Sequence, residues 1–514
     1  MKNKLLTLWL ILCSVTFSQT QQTDIEWPTL ANSPWPMIKH DPQFTGRSPY
    51  RGPQTPTIVW TADMKDGIFS GPVIGEEGNL YFGSYYYKAA SFYSFSPQGT
   101  ILWEYVLEES TPPQSGILID SSNTVYFGGT DGYLYALNQD GTLKWRIETG
   151  NIAHFVSPNI DLEGNIYVTN FPNGELFSIK NEGTINWQLN IDDNFKLKSP
   201  VISPDGNIVY IFGSDSLLYS INLDGTIKWK FSVITTLLAP LIDSDGNIYF
   251  YDQEVFYSIY PDGNLRWERE DFYFSEHSIP TIDINGNIYT IAIENTYPYN
   301  RVLLSLRNNG GIRWTYTFND KENDDFLQPL ICDNEGTIYV GSTYGNYYYA
   351  ISNQGELLWK LPLKDYQVDN TGAIAEDGTL YLGVHKSTLV TNQERTLIAI
   401  KDTATTIVEE VGKIHLFSLS QNYPNPFNLG TKIKIIIETP LIFSSLAKGR
   451  TKEEFVTLKV YDTLGKEVQT LINKYLSPGN YEVEFNVNDL PSGIYFYKLT
   501  TNNFSKTKKM MLIR

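Results

Sequence analysis

Cysteine and histidine are the residue types in this chain that could supply a nucleophile or hold a metal ion. Of the two cysteines, Cys13 lies in an apolar N-terminal run, so Cys332 in "QPLICDNEG" is the one expected in the mature protein. A thiol nucleophile needs a positioned histidine, and the histidines show no metal-site spacing such as HxxxH. The five histidines are His40, His154, His277, His385 and His415. We therefore expect Cys332 to be a small core residue and the histidines to be packing or surface residues.

Acidic turns are the second candidate for chemistry. The stretch "DSDGN" (Asp243–Asn247) looks like the start of a calcium loop, in which alternate Asp and Asn side chains supply oxygen ligands. The remaining spacing to a distal glutamate is missing. Asp-Gly also provides the positive φ of a tight β-hairpin, so we expect a hairpin turn and no metal site.

A sequence repeat contains Cys332, the Asp243–Asn247 turn and three of the five histidines. Eight tryptophans recur at intervals of about 40–45 residues, the length of a four-stranded propeller blade. They are Trp60, Trp103, Trp145, Trp187, Trp229, Trp267, Trp314 and Trp359. Segments such as "DGNIYFY" and "EGTIYVG" interleave with them, also eight times. Each unit reads as four short strands, which we name A to D, as in "SPVIS", "NIVYIFG", "LLYSIN" and "TIKWKF".

The order of the strands predicts how the repeat closes. Trp60 lies on a D-type strand before the first A strand, and the last unit lacks a D strand of its own. The N-terminal strand should therefore complete the last blade and leave no free edge. The predicted fold is all-β: an eight-bladed β-propeller over residues 57–402, after a lead-in segment at 19–56. Each tryptophan is expected to lie over the neighbouring blade as a structural contact.

The repeats "ALNQDGTLKW", "SINLDGTIKW" and "SIYPDGNLRW" resemble those of pyrroloquinoline-quinone-like eight-bladed propellers. The opening "WPMIKHDPQFTGRSP" (Trp35–Pro49) is also similar to that group, and the resemblance extends from Trp35 to Asp402. The resemblance implies the fold. It does not indicate the activity, because the group includes both quinoprotein dehydrogenases and non-catalytic scaffolds. The enzymes hold the quinone near adjacent cysteines with a calcium ion, a base aspartate and Asp, Glu and Asn ligands. Here Cys332 is alone, so no quinone or calcium is expected.

The connections predict where a ligand would bind. With alternating strands, the A–B and C–D turns lie on one face, here called the turn face, and are short and glycine-rich. The D–A and B–C connections lie on the opposite loop face and are irregular, which is typical of binding surfaces on rigid scaffolds. Their aromatic and acidic residues suit sugars, peptides or cations, although solvated loops with packed tyrosines would read the same way. The candidate ligand residues are Tyr86, Asp271, Phe272, Tyr297, Tyr299, Asp325 and Tyr344.

The N-terminus and the net charge indicate the compartment. Lys2 and Lys4 precede an apolar run, and a cut between Ser18 and Gln19 would remove residues 1–18 as a secretory signal peptide. No other stretch is long enough for a transmembrane segment. The formal net charge is −18, which argues against nucleic acid as a partner.

The last hundred residues form a different domain. After a linker at 403–415, residues 416–514 alternate apolar and polar positions between Gly and Pro turns, which predicts a small immunoglobulin-like β-sandwich. The segments "NYPNPFN", "YDTLGKEV" and "SGIYFYKL" and the basic tail closely resemble the C-terminal sorting domain of type IX secretion cargo, apart from an apparent insertion at Leu441–Phe455. The residues that carry this motif are Asn422, Pro424, Pro426, Gly465, Gly493 and Lys509. The resemblance implies Sec export, then passage to the cell surface or medium by the type IX machinery.

Three functions remain open on this sequence. The first is a secreted or cell-surface propeller that binds or scaffolds without catalysis, with an extracellular glycan or peptide as ligand. The second is an enzyme, either a divergent quinoprotein or a glycan-active propeller that uses carboxylates on the loop face. The third is a partner in envelope assembly, which the sorting domain disfavours because it sends the chain past the envelope. We favour the first, and expect no catalytic residues.

Overall fold

The chain divides into two units, Met1–Thr403 and Ala404–Arg514. The computed structural model describes residues 21–64, 67–68, 71–86, 89–107, 115–150, 156–170, 173–191, 198–213, 215–233, 239–274, 279–297, 299–318, 330–342, 346–363, 366–368, 371–386, 395–402, 417–419, 422, 425–437, 454–463, 465–477, 479–487, 490–501 and 505–513. These residues form strands, turns and bends, with no helix among them. Accordingly, no apolar helix of membrane-spanning length occurs in the described part of the chain.

The described part of the first unit contains eight antiparallel sheets. Strand β1 (Pro56–Met64) precedes sheet 1, which contains β2 (Gly67–Ile68), β3 (Val73–Ile74), β4 (Leu80–Tyr86), β5 (Ala89–Phe95) and β6 (Ile101–Val106). Sheet 2 contains β7 (Ile117–Ile119), β8 (Val125–Gly128), β9 (Tyr133–Leu137) and β10 (Leu143–Glu148). Sheet 3 contains β11 (Asn159–Ile160), β12 (Ile166–Thr169), β13 (Glu175–Ile179) and β14 (Ile185–Asn190). Sheet 4 contains β15 (Val201–Ile202), β16 (Ile208–Phe212), β17 (Leu217–Asn222) and β18 (Ile227–Ser232).

The other four sheets follow in chain order. Sheet 5 contains β19 (Leu241–Ile242), β20 (Ile248–Tyr251), β21 (Phe256–Ile259) and β22 (Leu265–Arg269). Sheet 6 contains β23 (Phe272–Phe274), β24 (Thr281–Ile282), β25 (Ile288–Glu294), β26 (Arg301–Leu306) and β27 (Ile312–Thr317). Sheet 7 contains β28 (Ile331–Cys332), β29 (Ile338–Gly341), β30 (Tyr347–Ile351) and β31 (Leu357–Pro362). Sheet 8 contains β32 (Tyr366–Val368), β33 (Ala373–Ile374), β34 (Leu380–Lys386) and β35 (Arg395–Asp402), together with β1.

The burial of each strand reflects how neighbouring sheets pack against one another. In sheet 3 the B strand "IYVT" is buried at every position, whereas the D strand "INWQLN" alternates between exposed and half-buried positions. Inner strands are covered on both faces by neighbouring sheets, so their sequences are nearly continuously apolar. The D strands form the outer edge and keep one solvated side. The expected all-β, propeller-like fold is confirmed.

Strand β1 connects the beginning of the repeat region to its end. It pairs antiparallel with β35 from Pro56 opposite Asp402 to Met64 opposite Arg395. Sheet 8 thus takes its D strand from residues that precede sheet 1 by sequence, and this pairing covers the edge of β35 that would otherwise be open.

Indole hydrogen bonds connect each sheet to the next. The Nε1 of every repeat tryptophan donates to a backbone carbonyl at the C–D turn of the following sheet or at its equivalent. The acceptors are Gln139 for Trp103, Asn181 for Trp145, Leu223 for Trp187, Pro261 for Trp229, Asn308 for Trp267, Asn353 for Trp314, Pro53 for Trp359 and Pro97 for Trp60. For the tryptophans of sheets 1 to 7 the acceptors therefore follow the order of the sheets from 2 to 8, and the contact of Trp60 in sheet 8 returns to sheet 1.

Glycine is needed under these indoles for two reasons. Gly141 in the C–D turn of sheet 2 has φ +84°, a conformation that side chains rarely adopt. A Cβ at this position would also lie 2.5 Å from Cδ2 of Trp103. The Asp-Gly pair of the repeat thus marks both a tight turn and the surface on which the tryptophan of the preceding sheet packs.

The second unit has two antiparallel sheets among its described residues. One contains β36 (Phe417–Leu419), β37 (Gly430–Ile437) and β40 (Gly479–Asn486). The other contains β38 (Glu454–Tyr461), β39 (Glu467–Leu476), β41 (Gly493–Thr500) and β42 (Ser505–Leu512). Apolar side chains from both sheets, among them Ile433 and Phe485 from the first and Leu458 and Tyr497 from the second, pack in one buried cluster.

Candidate functional site

Two of the predicted ligand residues meet on the loop face of sheet 6. Tyr297 and Tyr299 lie at the tip of the β25–β26 hairpin and are 87% and 56% exposed. Their ring centroids are 6.2 Å apart in an edge-to-face arrangement. Tyr299 has φ +60°, and its N–H donates to the carbonyl of Thr296. The turn therefore fixes the backbone that presents both rings to solvent.

Phe272 does not lie on the exposed ligand surface that the sequence suggested. It is buried in the apolar cluster of sheets 5 and 6. Successive side chains of the short strand β23 point to opposite sides, so the residue that follows Phe272 faces the solvent instead. That neighbour, Tyr273, is 41% exposed and was missed by the sequence reasoning. The alternation in "FYF" was the signal, once a strand had been assigned there. Asp271 is exposed and forms a two-pronged ion pair with Arg269.

The remaining candidates cannot be placed in the same way. Tyr86 ends strand β4, and its side chain is not among the described positions. Asp325, Tyr344, Pro424, Ser18 and Gln19 lie outside the described residues, as do His154, His277 and His415, the linker at 403–415 and most of Leu441–Phe455.

Three sheets are taller than the rest on the loop face. Their B strands, β4, β25 and β34, have seven residues each, whereas the other B strands have four or five. The added length pairs with β2, β23 and β32, which lie in line with the A strands of the same sheets. Two or three extra residues raise the sheet by about 7–10 Å. Among the described strands, sheets 6, 8 and 1 therefore extend further on the loop face than the other sheets.

The lead-in segment occupies the space enclosed by the A strands, which the sequence did not predict. Backbone carbonyls of residues 35–46 accept hydrogen bonds from seven sheets in order. Each bond is given with its donor first and its sheet in parentheses: Ile74 N to Trp35 O (sheet 1), Ile119 N to Pro36 O (sheet 2), Asn159 Nδ2 to Pro42 O (sheet 3), Ile202 N to Pro42 O (sheet 4), Ile242 N to Gln43 O (sheet 5), Ile282 N to Thr45 O (sheet 6) and Cys332 N to Gly46 O (sheet 7). A short segment can reach the A strands of seven sheets only from inside them. We call residues 34–48 the axial segment.

Residues 21–33 cover the axial segment from the turn face. The N–H of Gln22 donates to Ile284 O beside the A–B turn of sheet 6, and Trp27 Nε1 donates to Ile160 O of sheet 3. The N–H of Ala31 donates to Ile119 O of sheet 2. These contacts hold residues 21–33 along the turn-face side of the A strands.

A buried lysine fixes the axial segment at its loop-face end. Lys39 Nζ donates to the carbonyls of Pro280 and Leu330, at 3.0 and 2.8 Å, and these residues immediately precede strands β24 and β28. Burial lowers the pKa of Lys39 to about 7, because an ammonium group loses its hydration there. The amine joins sheets 6 and 7 to the segment and is fully shielded from solvent.

The axial segment opens to solvent at one point. Of residues 34–48, which are all described, Ile38, His40 and Asp41 are partly exposed and the others are buried. His40 Nδ1 lies 3.3 Å from Asp41 Oδ2, and each side chain is 20% exposed. The N–H and the hydroxyl of Thr45 both donate to the Asp41 carboxylate. Burial raises the pKa of Asp41, but the hydrogen bonds from His40 and Thr45 outweigh it and hold the pKa below its usual value.

The calcium-like turn is a hairpin in which the carboxylate is already satisfied. Asp243 accepts hydrogen bonds from the N–H groups of Asp245 and Asn247, from Asn247 Nδ2 and from the hydroxyl of Tyr249. The same contact between an aspartate and the tyrosine six residues later recurs at Asp120, Asp161, Asp283 and Asp333. These carboxylates close turns from within, so they are not available as an outward-facing ligand set.

The quinone site of the resembling enzymes does not fit the described residues. Cys332 is buried in β28 with no second cysteine beside it, and burial raises the pKa of its thiol to about 12. No group of three or more His, Cys, Asp or Glu side chains in the described part of the chain is placed to hold a metal ion. We derive no step through a quinone or calcium.

In the second unit the sorting residues lie at several structural positions. The N–H of Asn422 donates to the hydroxyl of Tyr497 in one sheet, and its Nδ2 donates to Thr431 in the other, so Asn422 joins the two sheets. Gly465 turns β38 into β39 with φ +78°. Gly493 begins β41, Lys509 lies on β42 opposite Phe496, and Pro426 is exposed.

Comparisons with known proteins separate the same two units. Residues 421–513 match the family described as the secretion system C-terminal sorting domain, which indicates sorting by type IX secretion. Residues 52–199 and 179–401 match the family described as outer membrane protein assembly factor BamB. No curated protein matches the chain.

Solved structures match the chain at low identity. BamB from Moraxella catarrhalis is 15% identical, covering 68% of this chain and 98% of its own, with a TM-score of 0.49. Sqt1 from Chaetomium thermophilum is 10% identical, covering 67% and 98%, with a TM-score of 0.47. A catalytically inactive virginiamycin B lyase from Staphylococcus aureus with quinupristin is 14% identical, covering 56% and 95%, with a TM-score of 0.41. On the extent of the repeat match, from residue 52 to residue 401, this chain belongs to the BamB family of β-propeller repeat proteins.

Proposed function

We propose that the chain is a non-catalytic propeller that binds or scaffolds an extracellular glycan or peptide after export by the type IX machinery. The observation that carries this proposal is the Tyr297–Tyr299 pair. Two large aromatic rings are presented to solvent on a raised hairpin of a rigid scaffold, where packing does not require them. Such exposed aromatic groups are typical of binding surfaces.

The scaffold in this proposal is a closed ring of eight blades. The pairing of β1 with β35 and the run of indole contacts that returns from Trp60 to sheet 1 support it. A closed ring has no free sheet edge between its first and last blades, so it holds its loops at fixed positions. The second unit is proposed as an immunoglobulin-like sandwich that serves as the export address.

Array binding tests the ligand face. The full exported chain is applied to glycan and peptide arrays beside the double variant Tyr297→Ala/Tyr299→Ala. The matched control is Tyr260→Ala, because Tyr260 is 48% exposed but lies on the C–D turn of sheet 5, on the turn face. We expect the double variant to lose array signals that the control retains. Equal loss in both, or none in either, would place the ligand elsewhere.

Truncation tests the export address. A chain that ends at Asp402 should fold and accumulate in the periplasm, whereas the full chain should reach the cell surface or medium. Fractionation and immunoblotting measure this. Release of the truncated chain to the medium would contradict the role of residues 416–514.

Absence of quinone chemistry is part of the proposal. Calorimetric titration of the full exported chain with calcium and pyrroloquinoline quinone should give no binding heat. Tight stoichiometric binding would overturn the proposal in favour of a divergent quinoprotein.

A further inference from the structure

The A strands of six sheets end in a backbone N–H group whose partner lies in the axial segment. These groups donate over 2.8–3.2 Å to carbonyls of residues 35–46. They belong to Ile74, Ile119, Ile202, Ile242, Ile282 and Cys332, each the last residue of its A strand. Because the repeat places this donor at the same position in each sheet, the sheets together form a groove lined with donors for the carbonyls of a polypeptide.

The axial segment also donates to the sheets. The N–H of Ser48 donates to the carbonyl of Cys332. Lys39 Nζ and Gln43 Nε2 donate to backbone carbonyls of sheets 6, 7 and 4, and Phe44 is fully buried. Buried backbone groups need a hydrogen-bond partner. The sheets and the segment therefore satisfy each other in the way that a binding site and its ligand do.

Part of the shape of the segment comes from its own contacts. The N–H of Gly46 donates to the carbonyl of Lys39, and the N–H and the hydroxyl of Thr45 both donate to the Asp41 carboxylate. A segment with internal hydrogen bonds loses less conformational freedom when it binds than a fully flexible one.

Both ends of the axial segment leave the axis on the turn face. Residues 21–33 lie there on one side. On the other side the N–H of Asn334, in the A–B turn of sheet 7, donates to the carbonyl of Tyr50, and strand β1 follows at Pro56. The segment therefore enters and leaves by the same face and is not threaded through the sheets. We call residues 21–64 the N-terminal arm, which is joined to the sheets that follow by a single covalent connection, between Met64 and Gly67.

From these contacts we propose that the N-terminal arm is a polypeptide ligand of the eight sheets, which bind it without the covalent connection and accept the same segment in trans. The arm contributes two parts to this binding, the axial segment and the strand β1 that covers the edge of β35. A second copy of this chain can supply the arm, because exchange of an identical element uses contacts that already exist. The aromatic pair on the loop face has no part in this binding.

Cutting the covalent connection tests whether the groove alone holds the arm. A protease recognition site is inserted between Met64 and Gly67 of the full exported chain, and the purified protein is cut. We expect the arm to co-elute with the larger fragment in size-exclusion chromatography, with the circular dichroism of the uncut protein. Release of the arm while the larger fragment stays folded would overturn the proposal.

Reconstitution tests binding in trans. The cut protein is unfolded in guanidinium chloride, its arm is removed, and the larger fragment is refolded with a labelled arm that is parental, Gly46→Val or Glu26→Ala. Gly46 has φ +64°, and a Cβ there would lie 2.7 Å from both Lys39 Nζ and Thr281 Oγ1. Glu26 is exposed and provides the matched control. We expect the parental and Glu26→Ala arms to be retained equally and the Gly46→Val arm to be retained at least tenfold less.

Two results of the reconstitution would overturn the proposal. Equal retention of all three arms would show that the axial contacts do not select the segment. A larger fragment that refolds alone to the thermal midpoint of the uncut chain would show that the sheets do not need the arm. If the uncut chain itself does not refold from guanidinium chloride, exchange of the three labelled arms into the native cut protein is measured instead, with the same expected order and the same contrary result.

Discussion

Trp60 donates its indole N–H to the carbonyl of Pro97, 3.1 Å away, although 37 residues separate the two along the chain. Trp60 lies on β1, the outer strand of sheet 8, and Pro97 lies in the C–D turn of sheet 1. The contact joins the end of the repeat to its beginning. It repeats the geometry that links every other pair of consecutive sheets.

Replacement of Trp60 should loosen this junction in particular. Trp60→Phe keeps an aromatic ring but removes the hydrogen bond, which contributes about 0.5–1.5 kcal/mol. We expect faster amide hydrogen exchange along β1 and β35, measured by mass spectrometry. Trp145→Phe removes the equivalent bond between sheets 2 and 3 and should leave exchange in β1 unchanged. Equal protection of β1 in both variants would contradict a special role for the junction.

Alanine substitutions of two glycines distinguish the effect of backbone strain from that of steric crowding. Gly141 and Gly164 have φ +84° and +89°, so each substitution costs about 1–2 kcal/mol from the backbone. A Cβ at Gly141 would lie 2.5 Å from the Trp103 ring, whereas one at Gly164 would meet nothing closer than 3.9 Å. Gly141→Ala should therefore lower the free energy of unfolding by clearly more than Gly164→Ala in urea titrations. Equal losses would show that the indole moves aside at no cost.

Alkaline pH should destabilise the first unit. Burial, together with the adjacent aspartates, raises the pKa of Tyr126, Tyr167 and Tyr289 well above the usual value. Unfolded tyrosines ionise near pH 10, so above that pH the unfolded state binds fewer protons than the folded state. The free energy of unfolding must then fall as pH rises.

Absorbance near 295 nm checks this prediction. On raising the pH from 9 to 12, part of the tyrosinate signal should appear together with loss of the folded circular dichroism. Complete ionisation of all tyrosines at pH 11 with the fold intact would contradict it.

The thiol of Cys332 should be inert in the folded protein. Burial raises its pKa to about 12, and the reactive thiolate is therefore scarce at pH 8. Ellman's reagent should label no thiol in the native exported chain and one thiol in guanidinium chloride. Rapid labelling of the native protein would show that β28 opens to solvent or that the thiol lies nearer the surface.

The sequence determined whatever depends on local periodicity. Tryptophan spacing, Asp-Gly turns and short apolar strands recur in each unit, so the all-β repeat and the separate sorting domain could both be recognised from the order of residues. The hairpin reading of Asp243 followed from turn chemistry alone, and the structure shows its carboxylate bonded within the turn.

Tertiary structure decided what depends on residues far apart in the chain. Phe272 and Tyr273 are both aromatic, and only the pairing of β23 with β25 determined which ring is buried. The path of residues 34–48 past the A strands of seven sheets carries no local signal, because its hydrogen bonds go to partners up to hundreds of residues away. A side chain's neighbours on the axis are set by the closure of the whole set of sheets, which no short stretch of sequence encodes.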